Sequence, residues 1–399
     1  MKYLEILQPA TQEIGNDIRV TYTLVEGNKE TILWYKIPKQ YAPYLTIEVA
    51  DAVVIGILMY AMERGLDIKS ETPISAGLYM KLTKYLMPFL STINASLKSI
   101  HFNIPISENI YSGEHVGTGV SCGVDSLSTI ICHGEEENVN RYRIDTLTLL
   151  NTGYYGAHED NSSNYKRYLN QSVDFCTEHS YSFFTLDSNI SNITEYNFLS
   201  AHTYLTCSVI LLFQKYFHTY YYSSGYPVYS FKPDFRDPAY YDIFLLDCIS
   251  TESLKFISSC STMSRVDKTA LILNHPTISK HLYVCTGGNP PTNCCKCEKC
   301  VRTMLAIESL GKIKDITFKY DSSIYRKHRI QYFSYMLRHR HNNVYYREIY
   351  DSIKKNHISI PLLSWINIIP CRFELIHIAK KLHLMNIGRF IYRLFKKQS

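Results

Sequence analysis

The stretch from Val116 to Ile131, VGTGVSCGVDSLSTII, predicts the centre of the fold. Its apolar lead-in, 116–120, indicates a β-strand, and the apolar residues after Ser126 indicate the first turns of a buried helix. A strand, a tight turn of small residues and a helix N-terminus bind phosphate, because backbone N–H groups and the positive end of the helix dipole meet there. Ser121 and Ser126 add hydroxyl donors, and the carboxylate of Asp125 suits a helix N-cap or a Mg²⁺ ligand.

Several kinds of turn can be compared with this stretch. A Walker A loop needs a lysine after its last glycine, and no lysine stands at that spacing. A dinucleotide-binding GxGxxG pattern that starts at Gly117 has Cys122 in place of its third glycine and follows a poor strand, 109–115. An ordinary strand-to-helix turn that is rich in small residues remains open.

The six residues SCGVDS, from Ser121 to Ser126, resemble the SGGxDS loop of the PP-loop ATP pyrophosphatases at five of six positions. Enzymes of this family cleave ATP between the α and β phosphates, and the resemblance implies their adenine nucleotide α-hydrolase-like fold. The matching positions are Ser121, Gly123, Asp125 and Ser126, with Val124 at the variable position. Cys122 stands where the family usually has glycine, and a cysteine there is strained if the position has a positive φ.

Length and composition predict a folded globular chain of two or three domains. Of its 399 residues, 46% are hydrophobic and 20% are charged, which excludes an extended disordered arm. The N-terminal sequence has no apolar signal core, and the longest apolar run, 52–62, is far shorter than the roughly 20 residues of a membrane span. We therefore expect a cytoplasmic, reducing compartment, in which 12 cysteines indicate metal or redox chemistry rather than disulfides.

Residues 1–112 are predicted to form a small α+β domain. Alternating apolar residues predict a β-hairpin over 18–37, and helical periodicity predicts helices over 48–64 and 78–90. A short strand is predicted over 99–104. Because no catalytic residue types cluster here, substrate recognition, formation of a homodimer and a purely structural role all remain open.

Strand and helix patterns alternate through 113–311, the predicted ATP-binding domain. Strands are predicted over 116–120, 145–150, 182–186, 219–223 and 253–259, and helices over 164–179 and 201–217. The alternation predicts an α/β fold with an open parallel sheet and helices on both faces, whose ligands lie at the carboxyl ends of the strands. Asn151 lies directly after the second strand, and in PP-loop enzymes that strand end commonly contacts adenine.

A helix is predicted to begin after Ser264. Ser264 and Asp267, three residues apart, indicate the capping pair of a helix that runs to Leu273. Arg265 and Lys268 would project from its first turns, where a cation opposes the helix dipole by roughly a few tenths of a kcal/mol. An anionic neighbour, either a polyphosphate or a structural carboxylate, would explain cations at these positions. We predict that Arg265 and Lys268 are the catalytic cations.

Four cysteines form the most specific motif. Cys285, Cys294, Cys297 and Cys300 follow the pattern C-x8-C-x2-C-x2-C. Cysteines two residues apart can hold one tetrahedral ion as thiolates, and two further thiolates complete its shell. The compact spacing favours Zn²⁺ over an iron–sulfur cluster, although both accept four thiolates. Cys295 is an extra thiol that we do not expect to be a ligand.

Together, the loop and the four cysteines resemble the 7-cyano-7-deazaguanine synthase family over about 114–310. The resemblance implies that the cysteines hold zinc and that ATP, with Mg²⁺, adenylates a substrate carboxylate or carbonyl oxygen and releases pyrophosphate. Ammonia then gives an amide, and a second activation gives a nitrile. The remaining residues have no counterpart in that family, which implies a different substrate, a small-molecule carboxylate or a modified base. A tRNA-thiolating PP-loop enzyme and a non-catalytic, zinc-stabilised binding protein remain alternatives.

The C-terminal region, 312–399, is strongly basic. It holds 18 lysines and arginines against 5 acidic residues, whereas the whole chain has a net charge of +6. Two segments, 325–347 and 376–397, combine this charge with an apolar helical stripe, which in the first is Ile330, Phe333 and Leu337. Such faces can bind nucleic acid, an acidic partner or membrane lipid. We favour helices that bury the stripe and keep the basic side in solvent.

Overall fold

Helices and strands alternate along the chain in a computed structural model that describes residues 2–153, 163–195, 197–285, 292–314 and 319–367. The strands are β1 Tyr3–Ile6, β2 Ala10–Ile14, β3 Asp17–Glu26, β4 Lys29–Pro38, β5 Asp67–Ser70, β6 Ile74–Ser75, β7 Phe102–Asn103, β8 Ile106–Ser107, β9 His115–Gly119, β10 Thr146–Asn151, β11 Ser182–Ser188, β12 Phe217–Ser223 and β13 Lys255–Ser259. The helices are α1 Asp51–Arg64, α2 Ala76–Lys81, α3 Met87–Ile93, α4 Val124–Ile130, α5 Ser163–Glu178, α6 Ile190–Thr194, α7 Phe198–Leu211, α8 Asp242–Ile249, α9 Arg265–Leu273, α10 Pro276–Ser279, α11 Glu298–Ser309, α12 Ser322–His339, α13 Val344–Lys355 and α14 Leu362–Ile366.

Most of the strands form one mixed sheet. Its strands lie in the order β13-β12-β9-β10-β11-β4-β3-β1-β5-β7, and β2 pairs with β3 at the side. From β13 to β11 every pair is parallel, whereas β4 joins β11 in the antiparallel direction. The prediction of an α/β protein with a largely parallel central sheet flanked by helices is confirmed.

Several predicted elements are present with small shifts at their ends. The hairpin over 18–37 is β3 and β4, which pair along their whole length. The helix over 48–64 is α1, and it ends at Gly65, whose φ of 64° lies in the left-handed region that glycine adopts freely. The helix over 78–90 consists of α2, a π turn at Leu82–Leu86, and α3. The strand over 99–104 is shorter than predicted, since only β7 forms there.

The strands on both sides of residue 112 belong to the same sheet. The carboxylate of Asp51, in α1, accepts hydrogen bonds from the N–H of Ser75 at 2.8 Å and from Nε2 of Gln214 at 2.9 Å, and all three residues are buried. The chain divides into two compact units, residues 1–300 with 318–320, and residues 301–317 with 321–399. The boundary predicted at residue 112 therefore lies inside the first unit, and the second unit begins at residue 301.

In the second unit, α12 packs against α13 and α14. Phe333 and Leu337 of its apolar stripe are buried, and Ile330 is half-buried. Glu308 accepts hydrogen bonds from the hydroxyl of Tyr325 and from Nε of Arg329, the latter at 2.7 Å. Burial of the stripe accounts for its periodicity without a nucleic-acid partner. The second basic segment, 376–397, lies outside the described residues.

Three arginines of this unit donate hydrogen bonds to backbone carbonyl groups of the same unit. Arg338 donates to Asn367 and Arg340 to Leu337, and Arg347 donates to His341 at 3.2 Å. Arg340 also lies over the rings of Tyr350 and Trp365, with 5.2 and 5.6 Å to the ring centroids. These side chains are engaged within the fold, and binding of nucleic acid by the basic region stays a prediction.

Gly113, two residues before β9, offers a test of how closely the chain packs against the start of β12. A Cβ atom there would lie 2.4 Å from the backbone carbon of Phe217, which opens β12. We expect Gly113→Ala to lower the free energy of unfolding by about 1–3 kcal/mol, because backbone must move to make room. Urea denaturation measures this as a lower midpoint at unchanged slope.

Gly119→Ala is the control, since its Cβ would approach no atom closer than 3.7 Å. It should leave the free energy of unfolding unchanged or raise it by less than about 1 kcal/mol. Equal stability of the two variants would contradict the close packing at Gly113.

Candidate functional site

The turn after β9 lies where the order of the parallel strands reverses. Along the chain these strands are β9, β10, β11, β12 and β13, whereas in space they run β11, β10, β9, β12, β13. In open α/β sheets, ligands bind outside the carboxyl ends of the strands at such a switch point. The turn Ser121–Gly123 follows β9 and Ser224 follows β12, so both lie at this end of the sheet.

Within the turn, the hydroxyl groups bond to one another. The Oγ atoms of Ser121 and Ser126 are 3.2 Å apart, and Ser126 Oγ also donates to the carbonyl of Gly123 at 3.2 Å. The N–H of Gly123 donates to Ser121 Oγ at 3.4 Å. Val124 is buried and opens α4. The residues predicted for the turn therefore lie close together. Their hydroxyl groups can rotate away from each other and donate to a ligand instead.

Cys122 has a φ of 55°, so the condition for strain noted in the sequence holds. This left-handed conformation costs an L-residue about 1–2 kcal/mol. The side chain is fully buried, and the carbonyl accepts a hydrogen bond from the N–H of Tyr283 at 2.8 Å. Burial raises the pKa of the Cys122 thiol to about 12, so this thiol is neutral at pH 7 and unsuited to nucleophilic attack.

Arg265 and Lys268 converge on the carboxylate of Asp125. Nη1 of Arg265 donates to Asp125 Oδ2 at 2.8 Å and to Oδ1 at 3.2 Å. Nζ of Lys268 lies 3.5 Å from Asp125 Oδ1 and donates to the carbonyl of Ser224 at 2.7 Å. Both cations are buried. Of the two anionic neighbours considered from the sequence, the structure contains a carboxylate, and it belongs to the turn itself.

The start of α9 places these two cations. The hydroxyl of Ser264 accepts from the N–H of Asp267 at 3.0 Å, and the carboxylate of Asp267 accepts from the N–H of Ser264 at 3.1 Å. The predicted capping pair is therefore confirmed. Arg265 and Lys268 are three residues apart and share one helix face, so one cap positions both side chains.

Asn151, the last residue of β10, is buried beside this end of the sheet. Its Nδ2 donates to Asp187 Oδ1, on β11, at 2.9 Å. Its Oδ1 is also buried and has no hydrogen-bond partner among the described residues. The exocyclic amino group of adenine is a donor of the kind that such an oxygen accepts. The adenine contact itself stays a prediction.

Asp242, which no motif in the sequence signals, also lies in this region of the fold. Ser258 Oγ donates to Asp242 Oδ1 at 3.0 Å. Burial raises the pKa of Asp242 to about 6, although hydrogen bonds from Ser258 and Ser224 and the charge of Lys268 lower it. A carboxyl group that titrates near neutrality suits a general base. In the sequence it is only an acidic residue at a helix start.

Two cysteines outside the four-cysteine motif also meet here. Cys260 follows β13 with a φ of 52°, and Ser259 Oγ donates to its sulfur at 3.4 Å. A hydrogen bond between Cys132 and Cys260 lowers the pKa of Cys260 and raises that of Cys132. The charge of Lys268 lowers the pKa of Cys260 further. A thiol held in its thiolate form is a nucleophile, and no spacing in the sequence signals this pair.

The four predicted metal ligands are close together, with the sulfur atoms of Cys285, Cys294, Cys297 and Cys300 all within 4.8 Å of one another. The sulfurs of Cys294 and Cys300 are 3.9 Å apart. Those of Cys285 and Cys297 are also 3.9 Å apart. Around a tetrahedral zinc ion with Zn–S bonds of about 2.3 Å, neighbouring sulfurs are about 3.8 Å apart. The cluster could therefore hold a metal ion such as zinc.

Backbone N–H groups surround these sulfurs. Those of Lys296 and Cys297 donate to Cys294 Sγ at 3.5 and 3.3 Å, and that of Cys294 donates to Cys285 Sγ at 3.4 Å. Such bonds stabilise thiolates around a metal ion. Cys295 instead donates to the carbonyl of Asn293 at 3.5 Å and is not one of the four. Four thiolates leave no open position, which is typical of a structural zinc site.

A scan against protein-family models, a search of curated proteins and a search of solved structures each found no match to this chain. The resemblance to PP-loop enzymes therefore rests on the sequence motifs described above. Across the described residues, no helix is both long and apolar enough to cross a membrane.

The left-handed conformation of Cys122 leads to a comparison of two variants. Cys122→Gly and Cys122→Ala remove the same sulfur, but only glycine relieves the strain at a φ of 55°. We expect the glycine variant to be more stable than the alanine variant by about 1 kcal/mol in urea denaturation. It should also keep or raise the affinity for ATP, measured by calorimetry. A large loss of ATP affinity in both variants would show that the side chain of Cys122 has a role of its own.

The cysteine cluster leads to a prediction of metal content. After dialysis against EDTA, the protein should retain about one zinc ion per chain, because the binding energy of a structural site is folding energy. Cys297→Ser should lose this zinc and much of the stability, as measured by elemental analysis and thermal melting. The matched control, Cys295→Ser, should retain both. Iron with acid-labile sulfide in anaerobically prepared protein would contradict the zinc assignment.

Proposed function

We propose that this chain is an ATP-dependent enzyme of the PP-loop type, which adenylates a carboxylate or carbonyl oxygen of its substrate and releases pyrophosphate. The observation that carries the proposal is the convergence of Arg265 and Lys268 on Asp125, beside a phosphate-binding type of turn at the switch point. Two buried cations beside such a turn match the charge that develops on departing pyrophosphate. The match of SCGVDS to the PP-loop pattern supports the same conclusion.

In this proposal, the N–H groups of the turn and the hydroxyls of Ser121 and Ser126 bind the β and γ phosphates. Mg²⁺, for which Asp125 is the candidate ligand, supplies positive charge at these phosphates when it is bound. Arg265 and Lys268 neutralise charge at the bond between the α and β phosphates. Catalysis of this kind consists mainly of positioning and charge neutralisation, so it needs few reactive side chains.

The reaction forms one bond and breaks one bond at the α-phosphorus. The substrate oxygen attacks, the bond to the bridging oxygen breaks, and pyrophosphate leaves with that electron pair. Ammonia or an amine then attacks the activated carbon and displaces AMP, which gives an amide. Asp242 is the candidate to take the proton of this nucleophile, because its pKa is raised to about 6 by burial. The four cysteines hold zinc as a structural ion.

Sulfur transfer to an adenylated tRNA base is a second candidate function, and Cys260 favours it. Cys132 and Lys268 both lower the pKa of Cys260, which favours its thiolate form. A persulfide on this sulfur, loaded by an external persulfide donor, would attack the adenylated carbon in place of ammonia and displace AMP. The thiol of Cys132 would then attack the sulfur of Cys260, which breaks the S–S bond, leaves the transferred sulfur on the base and forms a Cys132–Cys260 disulfide that an external thiol reduces. Cys260→Ser separates the two functions, since it should abolish thiolation of tRNA but leave amide formation intact.

The central test is release of pyrophosphate from ATP with a panel of carboxylates, amines and tRNA. Asp125→Asn should reduce this release by about 100-fold or more, because it removes the charge that positions Mg²⁺ and both cations. Ser126→Ala should reduce it by about tenfold or more, through loss of one phosphate donor. Asp174→Asn, at an exposed carboxylate on α5, is the control and should have no effect.

Circular dichroism and zinc content should show that all three variants remain folded. If wild type and Asp125→Asn bind ATP equally and neither releases pyrophosphate with any substrate, the protein is a zinc-stabilised binding protein instead. Tight ATP binding that depends on Asp125, together with pyrophosphate release, supports the proposal.

A further inference from the structure

A second group of metal-binding side chains lies apart from the residues discussed so far. One ligand atom each of Glu178, His179 and His281 lie within 4.8 Å of one another. Glu178 is the last residue of α5 and His179 follows it, whereas His281 lies two residues beyond the end of α10. The first unit contains all three residues. The fold therefore brings together two imidazoles and a carboxylate from distant parts of the chain.

Neighbouring rings hold the two imidazoles in place. The ring of His179 stacks on Phe175 with centroids 4.5 Å apart, and that of His281 meets the same ring edge-on at 5.1 Å. The two histidine rings lie 5.7 Å apart. Nε2 of His281 is 2.9 Å from Glu178 Oε2. Packing against the buried Phe175 limits the rotation of both rings, so the donors are largely preorganised.

His179 supplies the observation that points to a ligand. Its side chain is only 10% exposed, and its Nδ1 lies 3.9 Å from a carboxylate oxygen of Glu135. Its Nε2 is buried and has no hydrogen-bond partner among the described residues. A buried polar nitrogen without a partner costs free energy, and a metal ion would use its lone pair. A carboxylate facing the other ring nitrogen is the usual companion of a metal-bound histidine.

We propose that Glu178, His179 and His281 form a second metal site, separate from the four cysteines, for a borderline divalent cation, foremost Zn²⁺. Two imidazoles and one carboxylate are a ligand set that zinc accepts, whereas Mg²⁺ and Ca²⁺ prefer oxygen ligands throughout. Three protein ligands leave a fourth position for water or another ligand.

Lys280 competes with the metal ion for the carboxylate of Glu178. Its Nζ pairs with Glu178 Oε1, while His281 uses Oε2 of the same carboxylate. A bound ion has to share Glu178 with the lysine or displace it, which weakens the site relative to the four-thiolate cluster. Removal of the lysine charge should therefore strengthen metal binding, an effect that an ordinary surface cluster of hydrogen bonds would not produce.

The test is a Zn²⁺ titration of the full chain against a chromophoric zinc indicator, after EDTA has removed loosely bound metal and left the cysteine-bound zinc. Wild type should take up one further equivalent of zinc. His179→Ala and His281→Ala should each weaken this binding by about 100-fold or more, and Glu135→Gln by about tenfold. Lys280→Met should strengthen it severalfold.

The matched control is His275→Ala. His275 pairs with Glu136 at 3.1 Å but belongs to no group of three ligands among the described residues. This variant should bind the further equivalent like wild type. Retention of the cysteine-bound zinc and an unchanged circular dichroism spectrum show that each variant is folded. If wild type takes up no further equivalent, or if His179→Ala and His281→Ala bind it unchanged, the site does not exist.

Discussion

The ion pair between Asp125 and the two cations Arg265 and Lys268 is the interaction on which the rest of the candidate site depends. Lys268 is 1% exposed, and a charge so far from water is costly unless an opposite charge accompanies it. Asp125 belongs to the helix after β9, whereas both cations belong to the helix after β13. The pair therefore fixes α9 against α4 across the switch point. A ligand that draws Asp125 away must offer negative charge to the cations in return, which a phosphate group does.

Features that depend on neighbouring residues could be predicted from the sequence. The hairpin of β3 and β4, the start of α9 at Ser264, and the parallel strands each follow from a period or a cap within a few residues. The cysteine cluster belongs to the same group, because three of its four ligands lie within seven residues. In each case, the local chemistry allows few alternatives.

Features that depend on which strands become neighbours could not be predicted. An alternating strand such as β4 can pair with any exposed edge, and nothing in its pattern indicates antiparallel pairing with β11. Because β4 pairs with β11, the domain boundary expected at residue 112 lies inside a continuous sheet. The same limit applies to Arg265, whose carboxylate partner is 140 residues away, and to Cys132 with Cys260. Such pairs exist only after the order of the strands is established.

The strain at Cys122 persists because the segment that leads to the cysteine cluster holds it. The N–H of Tyr283 donates to the carbonyl of Cys122, and the next residue, Val284, donates its N–H to Asn293 Oδ1 at 2.9 Å. Asn293 Nδ2 also donates to the carbonyl of Leu282 at 3.1 Å, so one buried side-chain amide holds the segment 282–284 in place directly before Cys285. A metal ion on Cys285 would restrain the same few residues. Order at the cysteine cluster thus supports the unfavourable backbone conformation of Cys122 in the turn, which links the candidate metal site to the candidate functional site without direct contact between them.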